Sequence, residues 1–325
     1  MEIRNLIILF GFIYTLISCT YNSKNEVDYK NYHAEILLAE ELVSQEKYNQ
    51  ALERYEKVFA NFKFNFLRDY KVASQLYLFT GNKEKGVNLI KESITNGWEL
   101  KDLKNQEFLK KNLNDSEWKN IENQYDNLYK IFLNRIDSNI KSKVQSMFEK
   151  DQELAFKVST IENEQEQEEF ILKNFPKHSE KQLKKLLEIL EEKGYPGEFL
   201  IGNNFWSSTI LSHHNSIEPD YVKKDTLYNF IKPKLFQSLT KGYISPYEIA
   251  LIEDWKRATT SDFSESIYGY LNAPNSSNIS QINTSRRRIG LRPVELRNKL
   301  IDIENKTGIN FYLPDWVDGK IKIGN

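Results

Sequence analysis

Apolar residues recur at helical spacing along most of this chain, and one stretch near its start is almost entirely apolar. That stretch covers residues 6–17 and follows Arg4 near the N-terminus. A helix of that length spans about 18 Å at 1.5 Å per residue, well short of the ~30 Å hydrocarbon core of a bilayer. Its length and positive flank are typical of a signal peptide. Beyond it, the spacing of three and four predicts a mainly α protein with at most minor β structure.

Two segments in the first third of the chain predict helical hairpins of similar design. Residues 34–62 read as two helices joined at residues 45–47, and residues 69–98 repeat the pattern. The spacing of about 35 residues resembles the tetratricopeptide repeat, which has a period of 34. The positions that match this family are Ala39, Tyr48, Ala51, Tyr55, Tyr70, Ser74, Tyr77, Gly81 and Gly86. The resemblance implies a surface that binds a peptide or protein domain, and an ordinary helical hairpin domain is the alternative.

The rest of the chain predicts further helices with recognisable ends. Residues 129–169 read as one long helix or two, and Gly194 ends a later leucine-striped helix. Ser245 is suited to cap a helix that starts at Pro246, and Pro293 and Gly308 bracket the last one. The Asn- and Ser-rich stretch 272–285 predicts a loop. We therefore expect a signal peptide at residues 1–18, a tether at 19–31, a repeat domain at 32–128 and an α-helical domain at 129–325.

Cys19 is the single cysteine of the chain and follows the apolar run directly. The sequence Leu-Ile-Ser-Cys at residues 16–19 resembles the lipobox of bacterial lipoproteins. The resemblance implies a lipid on Cys19 and a location in the bacterial cell envelope, which we expect to be the outer membrane facing the periplasm. The alternative is an uncleaved anchor or a buried helix with a chance cysteine. With 45 basic and 46 acidic residues, the charge favours no nucleic acid partner.

Candidate chemistry in the second half centres on two adjacent histidines in the stretch 203–216. Helical angles place His213 at the centre of an apolar face and His214 at its edge, where it could act as a general base. Neighbours on a helix diverge by about 100°, so the pair is poorly placed to share a metal. Only His33 and His178 remain as further histidines. The glycines at 194, 197 and 202 lack the Lys-Ser/Thr of a phosphate-binding loop. We expect neither a metal nor a cofactor.

Short motifs between residues 141 and 297 occur in an order that resembles an uncharacterised bacterial family. This family is a domain of unknown function that is often found in secreted proteins or lipoproteins. The polar positions that the resemblance points to are Asp151, Gln152, His214, Asp254, Tyr268 and Arg286. The chain departs from the pattern at Trp255, Tyr270 and Leu271, which argues against an intact catalytic site.

Two functional hypotheses remain open from the sequence. The first is a membrane-tethered scaffold that binds an envelope protein or peptide through the repeat domain. The second is an envelope hydrolase with His214 as base and with Asp254 or Arg286 as orienting groups. Asp254 is either a surface charge or the partner of an arginine. The run of arginines at 286–288 holds a phosphate or carboxylate, or it is solvated or paired with acidic neighbours. The binding protein is preferred because no catalytic motif is complete.

Overall fold

The computed structural model describes residues 28–314 and 317–324. This part of the chain contains sixteen helices. The first eight are α1 (Tyr29–Ser44), α2 (Tyr48–Asn61), α3 (Leu67–Phe79), α4 (Lys83–Thr95), α5 (Leu100–Asn105), α6 (Glu107–Asn112), α7 (Asp115–Arg135) and α8 (Ser138–Ser159). The others are α9 (Glu164–Lys193), α10 (Glu198–Ile201), α11 (Trp206–His214), α12 (Pro219–Lys224), α13 (Leu227–Thr240), α14 (Pro246–Thr260), α15 (Ile279–Arg288) and α16 (Val294–Thr307).

The prediction of a mainly α fold is confirmed. Within the described ranges, the β structure is limited to one isolated bridge between Asn275 and Gly324. No helix there is both long enough and apolar enough to cross a membrane. The predicted signal peptide, Cys19 and most of the predicted tether lie outside the described residues.

The first four helices form the two hairpins that the sequence predicts. Helix α1 begins at Tyr29, earlier than predicted, because the Asp28 side chain accepts a hydrogen bond from the Lys30 amide and caps it. Ala51 is fully buried where α1 and α2 cross. A Cβ at Gly86 would lie 2.7 Å from Leu78 Cδ2, so the contact between α3 and α4 requires a glycine there.

The middle of the chain differs from the prediction in where its helices end. Residues 129–169 belong to three helices, because the chain turns at Ile136 and again before the Asn163 cap of α9. Gly194 ends α9 as predicted, and Ser245 and Gly308 cap α14 and α16. The predicted loop at 272–285 is wrong in its second half, since α15 starts at Ile279. There Asn283 is buried and donates to Glu295, so tertiary contacts override composition.

The described residues form two large hydrophobic cores. The first core contains α1–α6, and the second contains most of the elements from α8 to α14. The boundary predicted after residue 128 falls inside α7. Leu300 of α16 and Phe311 return to the first core, so the end of the chain packs with its beginning.

This return places residues 309–314, here named the C-terminal segment, against helix α3. The Gln75 side-chain amide donates to the Asn310 carbonyl at 3.0 Å and accepts from the Asn310 amide at 2.9 Å. Arg68 Nε donates to the Phe311 carbonyl at 3.0 Å, and the Phe311 side chain is fully buried. Side chains of α3, the first helix of the second hairpin, therefore bind the main chain of this non-helical segment.

Candidate functional site

The two adjacent histidines lie opposite to the prediction. His214 is completely buried, whereas the His213 side chain is 31% exposed. The buried face of α11 is built on Ser207, Leu211 and His214, and small serines let α9 and α14 approach closely. The sequence prediction was wrong because Phe205 was placed on the apolar face with Trp206, whereas Phe205 is 49% exposed and only Trp206 packs against the second core. An aromatic pair at a helix start is a poor guide to register.

His214 joins two polar side chains in a closed chain of hydrogen bonds. Its Nε2 lies 3.1 Å from Asp225 Oδ2, and its Nδ1 lies 2.7 Å from Ser179 Oγ. Burial opposes ionisation of Asp225, but the His214 contact and two backbone N–H groups together lower its pKa. The carboxylate therefore accepts from Nε2–H, and the Ser179 hydroxyl donates to Nδ1.

The network has the residue types of a Ser-His-Asp triad without its working geometry. Ser179 is 5% exposed and lies inside helix α9, where main-chain N–H groups are used within the helix. A hydrolase needs free donors beside the nucleophile to stabilise the oxyanion, and it needs access for substrate. Neither condition is met around Ser179, so the arrangement favours a structural role.

The exposed neighbour His213 contacts the buried Asp151, one of the positions that the family resemblance points to. His213 Nδ1 lies 2.5 Å from Asp151 Oδ2, and His178 Nε2 lies 3.8 Å from Asp151 Oδ1. Gln152, the next such position, is partly exposed on α8. No group of three His, Cys, Asp or Glu side chains has metal-holding geometry among the described residues.

Asp254, Tyr268 and Arg286 lie close together, but the Asp254 and Arg286 side chains bind mainly main-chain groups. The Asp254 carboxylate is fully buried and accepts from Ser266 Oγ and from the amides of residues 267, 268 and 270 at 2.7–2.8 Å. A guanidinium N–H of Arg286 donates to the Tyr268 carbonyl at 2.7 Å. Of the alternatives left open by the sequence, a surface charge at Asp254 and a solvated Arg286 are excluded by their burial. Both side chains shape the turn before α15.

The four candidate residues therefore do not converge on one cleft. His214 belongs to the network with Ser179, and the other three belong to the turn around Tyr268. None of the four side chains lines the cavity that lies between the two hydrophobic cores.

A cavity of about 340 Å³, here named the interdomain cleft, lies between the two cores. Its walls come from α1, the first turn of α3, α10, the turn before α11, the first turn of α14, and the C-terminal segment. The residues that line it are His33, Ile36, Phe66, Arg68, Asp69, Lys71, Glu198, Asn203, Asn204, Phe205, Ser245, Pro246, Tyr247, Glu248, Gly290, Arg292, Tyr312, Leu313 and Pro314.

An ion cluster holds the two sides of the cleft together. Glu40 of α1 is fully buried and accepts two hydrogen bonds from Arg292, one of them at 2.6 Å. It also accepts from Arg68 at 2.7 Å, and Arg68 donates to Asp69 at 3.0 Å. Burial raises the pKa of Glu40, but the two guanidinium groups outweigh it and lower the pKa. Sequence reasoning missed this cluster, although a glutamate on the apolar stripe of α1 was a signal for it.

Two ionisable side chains in the cleft have different surroundings. The Lys71 ammonium makes no hydrogen bond, and its Nζ lies 4.9 Å from the Trp98 ring centroid and 5.0 Å from that of Tyr312. Burial lowers the pKa of Lys71. Glu198 accepts from the Leu67 amide at 2.6 Å, and burial raises its pKa to about 7.

Comparisons with known proteins give no relative from which a role could be transferred. No family model matches the chain, and neither a curated protein nor a solved structure matches it.

Proposed function

We propose that this protein is a non-catalytic binding protein, tethered to the bacterial cell envelope by a lipid on Cys19. Its ligand is a segment of a partner protein or peptide, which enters the interdomain cleft. The observation that carries the proposal is the cleft itself, in which mostly apolar walls surround a lysine whose ammonium forms no ion pair, although the charge of Glu198 raises its pKa. Ligand sites are typically concave and mostly apolar with a few polar groups of this kind.

The neighbouring C-terminal segment supports a peptide as the ligand. Gln75 binds the main chain of Asn310 on both its donor and acceptor sides, so α3 offers groups suited to an extended backbone. The cleft adjoins this contact through Tyr312, Leu313 and Pro314. Because the C-terminal segment occupies part of the repeat surface, the partner is expected beside it and not along the whole hairpin face.

The alternative, an envelope hydrolase with His214 as base, has weaker support. His214 is fully buried, and its hydroxyl partner Ser179 lies inside a helix. A catalytic role would require helix α9 or α11 to move before substrate could reach either side chain.

Site-specific photo-cross-linking in membranes of producing cells tests the binding proposal. A photoreactive residue at position 205, on the rim of the cleft, should form an adduct with the partner. The same residue at position 263 is the control, since Phe263 is 56% exposed and does not line the cleft. The purified partner should bind the wild type but not Asn203→Trp. Asn203 is exposed, and a tryptophan side chain at this position would fill the cleft. Equal adducts at both positions, or partner binding that Asn203→Trp does not affect, would contradict the proposal.

Lipid attachment is tested separately by Cys19→Ser. The variant should leave the membrane fraction or accumulate as an unprocessed precursor, because the thiol is the site of acylation. Mass spectrometry of the wild-type chain should show a modified Cys19 at the mature N-terminus. An unmodified Cys19 in the wild type would refute the tether.

A further inference from the structure

We infer that the interdomain cleft recognises a carboxylate group carried on an apolar body, and that Lys71 supplies the cation that binds it. This inference rests on the proposed function, since it names the chemistry that the cleft accepts. It follows from which charges around the cleft already have partners and which do not.

The charges of the cleft arginines are paired with carboxylates of the chain itself, although Arg292 Nη1 has no hydrogen-bond partner. Arg292 and Arg68 both donate to Glu40, and Arg68 also donates to Asp69. Lys71 differs, because its ammonium makes no hydrogen bond and rests on the Trp98 and Tyr312 rings. Aromatic faces hold a cation in place but satisfy none of its N–H donors. Lys71 is therefore available to an external anion.

The carboxylates of the cleft are committed as well. Asp69 accepts from Tyr32 at 2.6 Å and from Arg68. Glu248 accepts from Tyr195 at 2.9 Å and from the Ser245 amide at 3.0 Å, which caps α14. Glu198 differs from these carboxylates in its charge. Burial raises its pKa to about 7, so part of the Glu198 carboxyl groups are uncharged near pH 7. The hydrogen-bonding capacity of these carboxylates is thus used within the chain, whereas the Lys71 ammonium forms neither a hydrogen bond nor an ion pair with any described residue.

Two helices begin at the cleft, α3 with Asp69 in its first turn and α14 with Glu248 in its first turn. The first turns of α3 and α14 both line it, through residues 68–71 and 246–248. Helix N-termini carry partial positive charge, which favours an anion nearby. Here they reinforce Lys71 and are not a site in themselves.

The apolar residues that line the rest of the cleft determine which kind of ligand could bear the carboxylate. Ile36, Phe66, Phe205 and Leu313 provide apolar surface in a cavity of about 340 Å³. That volume is near the lower limit for small-ligand pockets, about 300 Å³. It fits the terminal residues of a peptide or a small aryl or alkyl carboxylic acid. Both share the same chemistry, and the experiment separates them.

The test is equilibrium dialysis of the full chain in detergent micelles, with micelles alone as the blank. One probe is a pool of N-acetyl tripeptides with Ala, Val, Leu or Phe at the last two positions, prepared as free acids and, separately, as carboxamides. The second probe is 3-phenylpropionate, paired with 3-phenylpropionamide. We expect the peptide acids to be retained and the amides to be retained about tenfold less, because a charge-assisted hydrogen bond is lost.

Three variants make the test specific. Lys71→Met keeps the length of the side chain over the two rings and should reduce retention of the acids about tenfold without changing that of the amides. Lys85→Met is the matched control, since Lys85 also lies over a ring, that of Tyr77 at 5.3 Å, but is paired with Glu56 outside the cleft. Glu198→Gln should increase retention of the acids at pH 8 by about threefold, because it removes a facing negative charge. A gain of this kind cannot come from misfolding.

The outcomes separate the two proposals. Equal retention of acids and amides overturns the carboxylate inference and leaves the binding function standing. Retention of 3-phenylpropionate without the peptides supports the carboxylate site but contradicts a peptide ligand. If neither the wild type nor Asn203→Trp retains any probe, the result counts against both the carboxylate inference and the binding function. Loss of acid binding in Lys85→Met as large as in Lys71→Met also overturns the inference.

Discussion

The His214 network and the interdomain cleft both bury polar side chains, but only the cleft contains a charged side-chain group, the Lys71 ammonium, without a hydrogen-bond partner. Around His214, both ring nitrogens have partners, and Asp225 also accepts from the amides of Leu227 and Tyr228 at 2.9 Å. In the cleft, the Lys71 ammonium makes no hydrogen bond, and the side chain borders open volume. A polar network that satisfies itself specifies packing. An unpaired charge beside a cavity indicates a ligand.

The sharpest way to break this comparison is to remove the carboxylate that closes the cleft's ion cluster. Glu40→Gln keeps the shape of the side chain but leaves Arg292 buried without a counter-charge. We expect a loss of about 3–5 kcal/mol in the free energy of unfolding, as for other buried pairs that lose one partner. Urea denaturation followed by circular dichroism measures it.

The control for Glu40→Gln is Glu122→Gln, which removes a pair with Lys104 on the surface. Exposed pairs contribute little, so the change should stay within about 0.5 kcal/mol. Similar small losses in both variants would mean that the cluster does not hold the two cores together.

The second prediction concerns the adjacent histidines and has a smaller effect. His214→Ala should reduce stability by about 2–3 kcal/mol, since it leaves a cavity and removes the ring from Ser179 and Asp225. His213→Ala removes a part-exposed ring and should lose less, about 1 kcal/mol. Thermal melts of the two variants side by side decide the order. A larger loss for His213→Ala than for His214→Ala would instead support the predicted register, with His213 in the core.

The fold was predictable where local signals and packing agree. The joint at residues 45–47, the Ser245 cap and the Gly308 end each depend on neighbouring residues alone, and each is found where it was predicted. The loop predicted at 272–285 failed because α15 is stabilised by a distant contact, from Asn283 to Glu295. The return of Phe311 to the first core depends on residues more than two hundred positions away, which periodicity does not reveal.

The candidate site was harder to predict than the fold. The residues singled out by resemblance are real structural centres, as the four hydrogen bonds to Asp254 illustrate. The cleft, however, draws Lys71, Glu198 and Arg292 from three separate parts of the chain. Each is an ordinary charged residue in its own helix or turn. Their relation exists only after the two cores pack.

The third prediction sharpens the comparison through pH. The folded chain holds the pKa of Glu198 at about 7, above its usual value near 4.5, through burial. Between these values the folded state keeps a proton that the unfolded state has lost, so stability falls as pH rises through this window. Glu198→Gln removes the effect and keeps an oxygen for the Leu67 amide.

We therefore expect Glu198→Gln to match the wild type at pH 4 and to exceed it by about 1–2 kcal/mol at pH 8. The groups that act on this carboxyl are Arg135 and Lys71, which lower its pKa, and Asp69, which raises it. Urea denaturation at the two pH values measures the difference. A wild type that gains on the variant between pH 5 and pH 8 would show that Glu198 is stabilised as a carboxylate, contrary to this account.

The smallest expected effect on stability is that of Lys71→Met, and it separates the two regions most directly. Lys71 has no ion pair to lose, and its contact with the Trp98 and Tyr312 rings contributes about 0.5–1 kcal/mol. Removing a partly buried charge returns a similar amount, since burial disfavours the ammonium, as the lowered pKa indicates. The free energy of unfolding should therefore change by less than about 0.5 kcal/mol, measured by urea denaturation at pH 7 beside His214→Ala. A residue retained for ligand binding should be replaceable in this way, whereas a residue of a closed network should not. A loss as large as that of His214→Ala would make Lys71 a structural residue and remove the distinction between the two regions.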